Sequence, residues 1–63
     1  MNAVNIKAVT VECRTAKISD DPYVYRAVAT LNFYGETRRA TAFRSTRSAA
    51  RHAAIAAVRA MFA

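Results

Sequence analysis

From Ser45 to Phe62 the chain contains no glycine and no proline, and seven of those eighteen residues are alanine. Such a run is bound to be helical, because alanine loses no side-chain entropy in a helix and nothing here interrupts the backbone hydrogen-bond ladder. Ser45 or Thr46 stands where a capping hydroxyl belongs. At 3.6 residues per turn, Ala50, Ala53, Ala54, Ala57, Val58 and Met61 fall on one stripe. Arg47, Arg51, Ile55 and Phe62 flank that stripe on one side, while Ser48, His52 and Arg59 point away. Side chains this small let a helix lie close on a sheet, and they leave the core thin.

The rest of the chain supplies the sheet. Tyr23 to Tyr34 alternates cleanly, with Tyr23, Tyr25, Ala27, Ala29, Leu31 and Phe33 on one face, which is the period of a half-buried strand. Those aromatics are expected to lie under the helix. Gly35 separates this run from Thr37 to Arg44, so the two form a hairpin turning at Tyr34-Gly35-Glu36. In the third strand Arg39, Thr41 and Phe43 share one face, and Arg38, Ala40, Ala42 and Arg44 the other. Val4 to Ile18 reads as a first strand whose parity slips between Ala8 and Val9, predicting a bulge or two-sided burial there. Ser19-Asp20-Asp21-Pro22 ends it in a turn. The order strand, strand, strand, helix predicts an α+β fold in one domain, residues 1–63, with a three-stranded antiparallel sheet and one C-terminal helix packed on one face.

Charge is distributed unevenly along this order. Residues 1–36 balance four cations against four acids, whereas Thr37 onward carries six arginines and no acid, so the formal net charge of +6 resides in the last 27 residues. Arg38, Arg39, Arg44 and Arg47 come at or before the start of the helix, where the unpaired N–H groups are already positive and acids are the favourable neighbours. An outside anion is the natural complement, phosphate foremost. A balance of this kind favours nucleic acid over membrane as the partner. No uncharged apolar run approaches the length of a membrane span, and Met1 to Lys7 has no charged region followed by an apolar core. Cys13 is the only cysteine, which excludes an internal disulfide and fits a reducing compartment. The expectation is a soluble, unprocessed, cytoplasmic protein.

Arg44, Arg47 and Arg51, with the hydroxyls of Ser45, Thr46 and Ser48, make the candidate anion site, because Arg47 and Arg51 are four apart on one helix face and Arg44 precedes the cap. Arg38 and Arg39 point to opposite faces of their strand, so one at most joins the patch, and Arg39 is assigned to it. The alternative is a solvated basic face with no ligand. His52 and Cys13 are lone potential ligands on different elements, short of the three or four that a metal needs. With four acids, one histidine and one glycine there is no arrangement for acid–base or nucleophilic work, so neither catalysis nor a cofactor is expected. Ile55 and Phe62 lie beside the small-residue stripe without a cover, which marks a contact with a second copy or another protein.

Thr46-Arg47-Ser48-Ala49-Ala50-Arg51-His52-Ala53-Ala54 resembles the start of the last helix of double-stranded RNA-binding domains. There a serine leads into a Lys-Lys-x-Ala-Lys pattern and then paired alanines. Arg47 and Arg51 match the first and last lysines of that pattern, Ala50 its alanine, and Ala53-Ala54 the pair, while Ser48 replaces the middle lysine. The likeness spans roughly residues 22–62 and corresponds to the family without its first helix. It implies a small nucleic-acid-binding module that contacts phosphates without reading sequence, with duplex RNA favoured, DNA possible, and assembly as a homodimer. The competing reading is a protein-interaction module, such as a phage-type inhibitor that binds a host protein or nucleoprotein complex.

Overall fold

A computed structural model describes residues 9–62. Strands β1 (Val9–Asp20), β2 (Tyr23–Phe33) and β3 (Glu36–Arg44) form one antiparallel sheet in the order β1-β2-β3, and helix α1 (Arg47–Ala60) crosses one face. This is the expected α+β arrangement. The parity slip read at Ala8 lies outside the described residues.

The β2–β3 hairpin is tighter than the sequence implies. Phe33 pairs with Glu36, so the loop is only Tyr34-Gly35, with φ of 50° and 89° at the two positions. Two positive φ values match the twist of the flanking strands, and glycine meets that requirement at the second position without steric cost. Asn32 braces the loop, its Oδ1 accepting from the Gly35 N–H at 3.2 Å and its Nδ2 donating to Thr37 Oγ1 at 3.1 Å.

In the β1–β2 hairpin the pairing steps from Ser19↔Val24 to Lys17↔Tyr25, so Ile18 is an extra residue. Uninterrupted pairing would set Lys17 opposite Arg26, on the face away from the helix. The extra residue reverses the facing of Lys17 and of the strand residues from Val9 up to it.

Thr46, not Ser45, caps α1. Its backbone is extended (φ −131°, ψ 155°), and its hydroxyl accepts from the Ala49 N–H at 3.1 Å. The core consists of Ala27, Ala29 and Leu31 from β2, Ala40 and Ala42 from β3, and Ala50, Ala54 and Val58 from α1. Cys13, Tyr25, Ala53, Ile55 and Phe62 pack against it, partly buried. The buried row of the helix is therefore the i, i+4, i+8 series, and Ala57 and Met61, expected in the stripe, are exposed. Rotating the helix this way brings Ile55 and Phe62 onto the sheet at the expense of one alanine and one methionine, and Ile and Phe gain more from burial than alanine does. Ile55 and Phe62 are accordingly half-buried within one chain, which corrects the expectation that they lack a cover. The helix meets β2 and β3 more than β1. Apolar exposure appears instead at Val9 and Val11 on the helix side of β1 and at Phe33 opposite Val9.

Candidate nucleic-acid interface

Where β3 ends and α1 begins, the chain builds an open cleft of about 400 Å³, lined by Lys17, Tyr23, Tyr25, Ser45, Thr46 and Arg47. Three elements meet there because β1 and β2 both reach the same end of the sheet as the β3–α1 junction. The Arg47 guanidinium carbon stands 5.1 Å above the centroid of the Tyr25 ring, and the Lys17 ammonium 5.5 Å from that of Tyr23. Such stacking leaves the outward N–H donors of Arg47 available, while the Lys17 ammonium is also paired with Asp20 at 2.8 Å. Of the aromatics expected under the helix, Tyr25 is half-buried against the core and Tyr23 is exposed, and both line this cleft. The first residue of the helix, Arg47, reaches Tyr25.

Arg44 lies opposite Tyr25 in the β2–β3 register, so Arg44 and Arg47 flank the same ring. One Nη of Arg44 donates to the Phe43 carbonyl at 2.7 Å. Arg51 is one helical turn beyond Arg47 and exposed, as is Ser48. The Thr46 hydroxyl accepts from the Ala49 N–H in the cap, and its own proton remains available. The first turn of α1 contains no acidic residue, whereas the last turn contains Arg59, where a cation complements the carbonyl end. Arg59 thus has a structural explanation that Arg44 and Arg47 lack.

Arg39 is not part of this cluster. Strand parity sends it to the open face of the sheet, beside Glu12, Arg14, Val28 and Thr30, which corrects its assignment to the patch. Arg38 is on the helix side but is engaged elsewhere: it pairs with Glu36 and lies over the Phe62 ring at 5.5 Å. Two further ion pairs, Arg14–Glu12 at 3.6 Å and Lys17–Asp20 at 2.8 Å, are exposed and contribute little to stability. Arg26, Arg39, Arg44, Arg47, Arg51 and Arg59 have no carboxylate partner among the described residues.

Lys17 is the site residue that the sequence reading missed. Counting back from the Asp20-Asp21-Pro22 turn places it on the open face, and only the extra residue at Ile18 brings it into the cleft. Among the described residues no group of three or more histidine, cysteine, aspartate or glutamate side chains is arranged to hold a metal, and no helix is long and apolar enough to cross a membrane. Comparison with protein-family models, with curated proteins and with solved structures finds no match to this chain.

Proposed function

We propose that this chain is a small, non-catalytic nucleic-acid-binding module that grips phosphates at the β3–α1 junction, in the manner of a double-stranded RNA-binding domain without its first helix. The observation that carries the reading is the cleft in which Lys17 and Arg47, thirty positions apart in sequence, are stacked on adjacent tyrosines beside an acid-free helix start. A phosphate there accepts from both cations and from the Ser45 hydroxyl, and Arg44 and Arg51 extend the contact to neighbouring phosphates. Contacts of that kind position a backbone and carry no base information, so binding is expected to be insensitive to sequence and steeply dependent on salt.

Titration against duplex RNA, duplex DNA and single strands at two salt concentrations tests this. Arg47→Ala and Arg51→Ala should each weaken binding equally across sequences, and each should flatten the log–log salt slope on duplex by about 0.9. Unchanged affinity in the double variant removes the site.

A second reading, a protein-interaction module, is favoured by one observation: Val9, Val11 and Phe33 are exposed together on the helix side of the sheet. The partner assigned to that strip is a second copy, with Phe62, packed on Phe33 at 5.5 Å, at its border.

A further inference from the structure

Among the described residues no element covers the face of the sheet opposite α1, and its composition is unusual for a solvated sheet. Its rows run Glu12–Thr30–Arg39, Arg14–Val28–Thr41 and Ala16–Arg26–Phe43 across β1, β2 and β3. Three arginines and one glutamate give it a net positive charge. Glu12 is occupied with Arg14 at 3.6 Å, while Arg26 and Arg39 have no carboxylate partner among the described residues. A groove of about 300 Å³ runs along this face, lined by Glu12, Arg14, Val28, Thr30 and Arg39.

The chain has six aromatic side chains, and five are matched. Tyr23 lies under Lys17, Tyr25 under Arg47, and Phe62 under Arg38, while Phe33 meets both Phe62 and Tyr34. Phe43 alone has no ring or cation against it among the described residues, and it is 51% exposed on the open face. A phenylalanine there costs solubility and adds nothing to a core on the other side of the sheet. Arg26 is its register partner on β2, and Arg39 lies four residues back along β3, roughly 14 Å away at the rise of a strand.

We infer that the open sheet face is a binding surface for single-stranded nucleic acid, with one base stacked on Phe43 and phosphates along the same strand held by Arg26 and Arg39. The inference rests on the nucleic-acid reading for the class of ligand but shares no residue with the helix-start site. Charge complementarity selects a polyanion. The unmatched ring selects one whose bases are free to leave their stack, which duplexes do not offer and single strands do. Thr30 and Thr41 supply hydroxyl donors on the floor between the cations.

The chain has no tryptophan, so Phe43→Trp places a single reporter in the proposed stack. Titrating it with an oligothymidylate single strand should quench the indole emission, whereas a blunt duplex of equal length should not. Phe43→Ala should weaken single-strand binding roughly five- to hundredfold, the range of one lost base stack, and leave duplex binding unchanged. Arg26→Ala and Arg39→Ala should each flatten the single-strand salt slope by about 0.7. Phe43→Leu, which keeps an apolar side chain but no ring face, should match Phe43→Ala if both retain the wild-type circular dichroism. An unquenched tryptophan, an equal loss on duplex, or polyglutamate binding as tightly as the single strand overturns the proposal. Loss of duplex binding in Arg47→Ala/Arg51→Ala with intact single-strand binding in Phe43→Ala overturns this surface alone. The converse pattern overturns the helix-start site alone.

Discussion

Ala54→Leu tests the closeness of helix and sheet on which the rest of the architecture depends. Ala54 is fully buried, and six of the eight core residues are alanine: Ala27 and Ala29 on β2, Ala40 and Ala42 on β3, Ala50 and Ala54 on α1. Leucine adds three carbons, and at about 0.8 kcal/mol per buried methylene a roomy core would gain roughly 2.4 kcal/mol from them. No such room exists, because an alanine neighbour has no rotamer to yield and behind it lies backbone. The helix must lift or tilt, and overpacking of this sort costs about 1–3 kcal/mol. For a chain of 63 residues the whole folding free energy is on the order of 3–9 kcal/mol, so the substitution removes a large share of it. The melting temperature should fall by about 4–8 °C for each kcal/mol lost. Ala56→Leu and Ala57→Leu, on exposed positions of the same helix, control for helix propensity and should stay within about 0.5 kcal/mol of wild type. Urea and thermal unfolding at one fixed protein concentration decide the matter. Equal stability of Ala54→Leu and Ala57→Leu would refute the close packing and the orientation of α1 with it.

Two further outcomes are expected. Gly35→Ala should cost about 1–2 kcal/mol by thermal unfolding, purely from forcing a side chain to φ +89°, since an added Cβ meets no heavy atom within 4 Å; an unchanged melting point would mean that the two-residue loop has another geometry. Phe62→Ala should shift sedimentation toward monomer and lower the melting temperature in a concentration-dependent way, because Phe62 braces Phe33 at the edge of the exposed apolar strip; a wild-type chain that stays monomeric at high concentration refutes the second-copy reading.

Element order and the faces of β2 and β3 are legible in the sequence because both depend on local rules. Alternation from Tyr23 to Phe33 fixes which side of β2 is buried, and Ala40 and Ala42 follow in β3 once a short turn closes at Gly35. The helix rotation is not legible to that degree. A stripe drawn for the most alanine-rich side differs by a fraction of a turn from one that also buries Ile55 and Phe62, and only the gain from covering the larger groups selects between them. Site membership depends on non-local register. Arg47 and Arg51 follow from helical spacing, whereas Arg39 is misassigned although the alternation of β3 already sets it on the face opposite Arg44. Lys17 depends on a single extra residue at Ile18, with no strong glycine or proline signal at that position to announce it.

The thin core and the cationic cleft are connected through Arg47. One turn before Ala50 and two before Ala54, Arg47 belongs to the same sheet-facing row as the buried alanines, yet it carries a charge that the core cannot accept. An alanine-on-alanine interface holds the helix axis so close to the sheet that a long side chain in this row has no space beneath it, and it must leave through the open end. Tyr25, the last helix-side residue of β2 before the strand passes the end of α1, meets it there, with the guanidinium carbon 5.1 Å from its ring centroid. Arg44 lies opposite Tyr25 on β3, while Lys17, opposite it on β1, reaches the neighbouring Tyr23 ring. A bulkier core would raise the helix, seat Arg47 lower and draw its guanidinium away from solvent, so the small residues that weaken this fold are also what presents its cations outward.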